Sequence, residues 1–250
     1  MGELGARRAP SDAGARATVE LVRSYRPVNE QEERDRERIL RLLEREDVWG
    51  RDNDRAHLTS SAWVCDASAS RVLMCWHLTY RSWSWLGGHA DGERDLLAVA
   101  LREVGEESGL TRLEPALRRP ISLEVLAVDG HEKRDRYVGS HVHLNLTWLV
   151  VADPAEPLRP KPDENRALRW FSPESAVEAS AEPWMRERIY PKLNAAMRAW
   201  AEGSARGGGA PGSPGRTAAG GTGEAGGPRC APRSASAPWR TRSARGSPGS

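Results

Sequence analysis

The segment from Gly87 to Leu110 constrains this chain more than any other. Two glycines and a short polar stretch lead into a run from Asp95 to Ser108 with strong helical character. At about 3.6 residues per turn, Glu103, Glu106 and Glu107 stand at i, i+3 and i+4 and share one face of that helix. Leu97, Leu101 and Val104 point the other way, into an expected core. Gly109 follows the last turn, where a left-handed cap favours glycine.

Three carboxylates on adjacent turns repel one another unless positive charge lies between them. A hard divalent cation with oxygen ligands meets that need, and Mg²⁺ usually serves where phosphates are the other ligands. Glu103, Glu106 and Glu107 are therefore the expected metal ligands, with Mn²⁺ as the second choice of ion. Gly87-Gly88 lets the backbone approach a ligand closely, and exposed N–H groups there suit a phosphate. Arg102 is placed to hold carboxylates in position. The chemistry implied is metal-assisted hydrolysis, in which a carboxylate or a metal-bound hydroxide activates water. A Glu-Glu pair alone is usually a solvated face, and Arg102 with Glu106 is an ordinary i, i+4 pair. It is the joint occurrence of glycines, arginine and three glutamates in fixed register that marks a site.

Around this segment the pattern alternates between strands and helices. Asn29 reads as an N-cap, with Glu32 completing a capping box for a helix to about Arg45 that carries Ile39, Leu40, Leu42 and Leu43 on one stripe. Ser61–Asp66 and Arg71–His77 read as a hairpin, and Gly87-Gly88 as a turn after Trp83 and Trp85. Further strands are expected near Ile121–Val128, His141–Val151 and Ala167–Phe171. Ser172-Pro173 opens a helix, and a last helix runs from about Pro183 to Trp200, bent at Pro191. The fold class is α/β (α+β), a mixed sheet covered by helices.

Between Gly203 and Ser250 there is no Val, Ile, Leu, Met or Phe, and the segment holds 13 of the 24 glycines. It cannot bury enough apolar surface to offset its ordering entropy, so residues 203–250 are expected to be a disordered tail. Residues 1–25 are expected to be flexible and 26–202 to form the domain. The tail's seven arginines and one acid account for +6 of charge; subtracting that from the net +2 leaves −4 for the first 202 residues. With no aromatic but Trp239, the tail is not expected to bind nucleic acid. No run approaches the roughly 18 apolar residues of a membrane span, and Met1 to Arg26 lack a signal-peptide h-region. Cys65, Cys75 and Cys230 make no disulfide framework, and the chain reads as cytoplasmic.

The segment resembles the Nudix box: a glycine, a glutamate six residues on, then Arg-Glu-aliphatic-x-Glu-Glu-x-Gly-aliphatic. Gly88, Arg102, Glu103, Val104, Glu106, Glu107, Gly109 and Leu110 fall in register. One position departs, Arg94 standing where the first glutamate belongs, with Glu93 just before it. The resemblance covers roughly residues 20–200 and implies an α/β/α sandwich, a Mg²⁺ site at the three glutamates and hydrolysis of a diphosphate linkage. The flanking Asn29-Glu-Gln-Glu, Trp83-Ser-Trp85, Lys161-Pro-Asp-Glu-Asn165 and Trp170-Phe171 resemble a bacterial Nudix subgroup of unassigned substrate. The expected substrate is a small phosphorylated molecule: a nucleoside diphosphate linked to another moiety, or a nucleoside triphosphate.

Gly87, Gly88, His89 and Glu164 are the candidate substrate-binding residues. Nudix enzymes often recruit a further acid from outside the box, and Glu164 is the candidate, against the alternative of a solvated loop acid. His141 and His143 share a strand face but are read as packing or surface residues, outside the metal set. Among ten tryptophans most are assigned to the core, with one or two able to stack on a nucleobase. Two other functions stand beside hydrolysis. Isopentenyl diphosphate isomerase shares the Gly-His pair, but its active-site cysteine is Gly87 here. A nucleotide sensor would commonly lose box glutamates, and all three are present. A homodimer is left open.

Overall fold

Strand alternation in this chain builds a sheet with two unlike faces, and the split between them positions the site. The computed structural model describes residues 12–133 and 136–206. The strands are β1 (Ala56–Cys65), β2 (Val72–His77), β3 (Ser82–Ser84), β4 (Leu86–His89), β5 (Leu113–Pro115), β6 (Ser122–Val128), β7 (His131–Lys133), β8 (Arg136–Val138), β9 (His141–Ala152) and β10 (Asn165–Phe171). The helices are α1 (Ala13–Ser24), α2 (Glu30–Arg45), α3 (Leu96–Ser108), α4 (Pro173–Ala179) and α5 (Tyr190–Arg206). Eight strands form one mixed sheet in the order β10-β2-β1-β9-β5, with β3 beside β2, β4 beside β1 and β6 beside β9. Among the described strands only β1 and β9 run parallel, in register from Ala56 opposite Val142 to Cys65 opposite Val151. Strands β7 and β8 form a separate hairpin.

Strand β1 carries the architecture. Its Leu58, Ala62 and Val64 join a core with residues of α1, α2 and α3, while Trp63 and Cys65 join a second core with α4 and α5. Fully burying a Leu or Val side chain stabilises the fold by about 1.5–3 kcal/mol, so the two faces together fix the strand's register. One edge of β1 is shared. Val64 and Cys65 pair with β2, whereas Thr59 to Ala62 pair with β4. The sheet opens between them.

Several expectations take a different form. Gly87-Gly88 is not a turn: both residues lie in β4, opposite Ser61 and Ser60. Glycine is needed there for close packing, since a Cβ on Gly87 would sit 2.5 Å from the Ser60 carbonyl oxygen. Residues 13–24, within the stretch expected to be flexible, form α1, which buries Ala15, Val19 and Val22 and is capped by Asp12 accepting from Ala15 N–H. The apolar spacing at 15, 19 and 22 is helical, so the segment has a face to bury. Asn29 caps α2 by accepting from the Glu32 N–H at 2.9 Å, but the Glu32 carboxylate accepts from Val28 N–H and Tyr25 Oη instead of closing a capping box. On α3 the fully buried stripe is Leu96, Val99, Ala100 and Val104, with Leu97 and Leu101 partly buried. Before Pro191 the last helix is a π-helical turn, Met185–Ile189, because proline cannot donate the regular bond. That helix runs on to Arg206, past the expected domain end; the rest of the tail lies outside the described residues. Cys65 and Cys75 are free, buried and in separate cores. No helix among the described residues is long and apolar enough to cross a membrane.

Candidate active site

Helix α3 is held in place before it contributes any chemistry. Asp95 caps its start by accepting from the Leu97 and Ala98 N–H groups, each at 3.1 Å. Gly109 ends it in the left-handed region at φ 73°, where glycine is unstrained. The apolar stripe lies on the sheet, which leaves the glutamate face toward β4. Glu107 is 3 % exposed, and its Oε2 accepts a hydrogen bond from Gly87 N–H at 3.0 Å. Glu103 reaches Gly88 so closely that a Cβ there would lie 2.5 Å from Glu103 Oε2. The two glycines are thus a seat for two carboxylates.

Charge around the seat is uneven. Arg102 Nη2 donates to Glu103 Oε1 at 2.8 Å, and its Nε lies 3.7 Å from Glu106 Oε1. Lys161 Nζ bridges Glu106 and Glu164, at 3.2 Å from each. Burial pushes the Glu107 carboxyl up to about 8, with the nearby Glu164 and Glu103 adding to it against the Gly87 hydrogen bond and Lys161. Behind it, fully buried Asn165 donates to the Glu107 carbonyl oxygen at 3.0 Å and ties the Lys161–Asn165 loop to the end of α3. A carboxylate this buried, flanked by two more acids, is under-supplied with positive charge. The donor set therefore fits a hard divalent cation: oxygen ligands with an open space before them.

That space is a cavity of about 950 Å³. Arg102, Glu103, Glu106, Glu107, Gly87, Gly88, His89 and Glu164 all line it, so every residue singled out from the sequence lies on one surface. Thr59, Ser61, Asn145 and His143, the polar alternates of β1 and β9, line it as well. Thr59 and Ser61 donate to Asn145 Oδ1 at 3.0 and 2.9 Å. Asn145 in turn donates to Glu124, which meets Lys192 at 3.0 Å, and Lys192 meets Glu32 at 2.9 Å. A buried polar chain therefore backs the cavity.

The sequence reading did not include several lining residues. Tyr80 and Trp184, both half exposed, stand at the rim with Trp85. Arg51 and Asp91 form an ion pair there. His57 is a further residue not read from the sequence, and it joins His89 and His143, which were weighed only separately. His57, 4 % exposed, lies across β1 from His143 on β9 and beside His89 on β4. The metal set read from the sequence contains no histidine, yet His57, His89 and His143 bring one ligand atom each within 4.8 Å of one another. The alternation His57-x-Thr59-x-Ser61 against His141-x-His143-x-Asn145 was the available signal: polar residues on what must be an inward face.

Arg94, at the one departing position, has its own partners. Its Nε donates to Asp12 at 3.0 Å, and its guanidinium lies 4.2 Å from the Trp49 ring centre. Arg94 therefore docks α1 against the loop before α3. The neighbouring Glu93 accepts from the Arg94 and Asp95 N–H groups.

Solved structures to which the chain is similar include the C. elegans Ap4A hydrolase in a binary complex, at 16% identity over 57% of this chain and 98% of that one, with a TM-score of 0.40. A NUDIX-family hydrolase from Clostridium perfringens shares 19% identity over 57% and 97% of the two chains, TM-score 0.40. The E. coli dihydroneopterin triphosphate pyrophosphohydrolase shares 16% over 55% and 94%, TM-score 0.41. No curated protein matches the chain. The NUDIX domain family model matches residues 55–193, more than half of the chain and all of the cavity's carboxylates, and the chain belongs to the Nudix hydrolase family.

Proposed function

We propose that this protein is a Mg²⁺-dependent hydrolase of a nucleoside diphosphate linked to another moiety, or of a nucleoside triphosphate, cleaving at the diphosphate. The observation that carries the reading is the seating of Glu103 and Glu107 on Gly87-Gly88 at the floor of the cavity. Glu103, Glu106 and Glu107 would hold the ion, with Mn²⁺ able to replace Mg²⁺. Bound there, it would neutralise the diphosphate and acidify a water.

The chain's own groups divide the remaining work. Arg102 and Lys161 orient the carboxylates and offer positive charge to phosphate oxygens. Glu107 and Glu164, across Lys161, are the two groups placed to take the proton of an attacking water. Gly87, Gly88 and His89 form the strand against which the phosphates lie. Trp85, Tyr80 and Trp184 at the rim suit stacking on a base, a contact that favours a nucleotide over a bare polyphosphate. The isomerase alternative lacks its cysteine at Gly87, and the sensor alternative leaves three intact glutamates without a task.

The test is turnover on a panel of nucleoside triphosphates, nucleotide sugars, dinucleoside polyphosphates and isopentenyl diphosphate, with and without Mg²⁺. Products are identified by mass spectrometry. Mg²⁺-dependent release of a nucleoside phosphate supports the proposal. Isomerised isopentenyl diphosphate, or tight nucleotide binding without turnover, overturns it.

A further inference from the structure

We infer that His57, His89 and His143 form a second metal site, separate from the carboxylates, that takes a borderline divalent ion of the zinc class. Three adjacent strands place the ligands. His57 and His143 are directly paired across the parallel β1–β9 ladder, and His89 lies opposite Thr59, two residues further along the same face of β1. The imidazole centres are 5.0 Å apart for His57–His89, 5.0 Å for His57–His143 and 4.9 Å for His89–His143. One ligand nitrogen from each lies within 4.8 Å of the other two. Three nitrogens at that limit would each stand about 2.8 Å from a common centre (the separation divided by √3). Less than about 1 Å of movement then reaches the Zn–N distance of about 2.0–2.1 Å.

The second observation concerns His57 alone. Its Nδ1 lies 3.1 Å from the Asn53 carbonyl oxygen. A carbonyl only accepts, so Nδ1 carries the hydrogen and Nε2 keeps a bare lone pair. That Nε2 is buried and has no hydrogen-bond partner, in a side chain that is 4 % exposed. A buried acceptor without a partner is a cost to the fold that a bound ion would remove. A ring with one nitrogen fixed by a backbone carbonyl and the other lone pair free is the arrangement by which proteins orient metal-ligating histidines. His141 adjoins the group: its Nδ1 donates to the Gly139 carbonyl at 2.8 Å, so its Nε2 accepts from His143 Nε2–H at 3.2 Å, which leaves Nδ1 as the lone pair of His143.

The donors decide the ion. Neutral imidazoles suit Zn²⁺, Co²⁺, Ni²⁺ and Cu²⁺, whereas Mg²⁺ prefers oxygen. The carboxylate face of α3 and the histidine face of β1, β4 and β9 therefore select different metals within one cavity wall. His89 and His143 line the cavity, which leaves the remaining coordination position open toward it.

The test uses tag-free full-length protein stripped with chelator, then titrated with Zn²⁺, and with Co²⁺ as the visible probe, in excess Mg²⁺. Wild type and the Glu103→Gln/Glu107→Gln double variant are compared with His89→Gln and His143→Gln, each checked by circular dichroism. His89, on the cavity wall, is the variant least disturbing to the core. The expected result is about one Zn²⁺ per chain in wild type and in the carboxylate variant, with Co²⁺ bands of nitrogen coordination. His89→Gln should weaken binding by more than the roughly 10–100-fold that an outer-shell change costs. No Zn²⁺ retained by wild type, Zn²⁺ lost in the carboxylate variant, or unaltered affinity in folded His89→Gln and His143→Gln would each overturn the site.

Discussion

The Glu107 carboxylate accepts the Gly87 N–H at 3.0 Å while almost fully buried, and so ties helix α3 to strand β4 through an ionisable group. The consequence is a pH-dependent stability. Burial, then Glu164 and Glu103, lift this carboxyl from an ordinary 4.5 to about 8 in the folded chain. The folded state binds the proton more tightly than the unfolded one, so the contribution is full below about pH 4.5 and is lost as pH rises through about 8. Thermal melts of metal-free protein should show wild type losing stability across that window relative to Glu107→Gln, with Mg²⁺ reducing the difference. Parallel curves for the two proteins would contradict the assignment.

Gly88→Ala tests the seat. Its Cβ would meet Glu103 Oε2 at 2.5 Å, and the flexible glutamate must move aside. Activity should fall about 10-fold or more, because a misplacement near 1 Å costs up to about 100-fold in rate. The melting temperature should change by only a few degrees. A large loss of stability with activity retained per folded molecule would show the glycine serving the fold instead.

Lys192→Met isolates the buried polar chain behind the cavity. Lys192 meets both Glu32 and Glu124, each fully buried. Removing one partner of a buried ion pair costs about 3–5 kcal/mol, since the charge left behind is uncompensated. Denaturant titration should show a loss of that size, and Lys192→Met/Glu124→Gln should recover part of it.

Arg94→Glu restores the residue that the box pattern calls for and breaks this chain's own arrangement. The Asp12 ion pair and the stacking on Trp49 are lost, and Asp12 would face a like charge. The exposed pair contributes little, and the cation–π contact with Trp49 is the larger loss. Limited proteolysis should cut near α1 faster than in wild type, with the rate of catalysis per folded molecule little changed.

The readable parts of the sequence were those where chemistry and periodicity coincide. The box fixed helix α3 because its apolar stripe, Asp95 cap and Gly109 stop agree with one another. The helix over residues 13–24 was hard to read because Val19 and Val22 sit among small and charged residues, and the core that buries them includes Ile39 and Leu43 of another helix. The Gly-Gly pair looks like a turn locally; only the pairing with Ser60 and Ser61 makes it a strand. His57, His89 and His143 come from three separated segments, so their meeting is a property of the sheet's register and not of any local spacing. Glu32 shows the same limit: a capping pattern gave the helix start correctly, while Lys192, 160 residues on, claimed its carboxylate.

The central claim is tested most directly by turnover in ¹⁸O-labelled water. With Mg²⁺ and whichever panel nucleotide is cleaved, the account expects one solvent oxygen in a phosphate product per turnover. Glu107→Gln should slow that incorporation by about 10²–10⁴-fold while the protein stays folded. No Mg²⁺-dependent incorporation on any panel member, or an undiminished rate in folded Glu107→Gln, would contradict it.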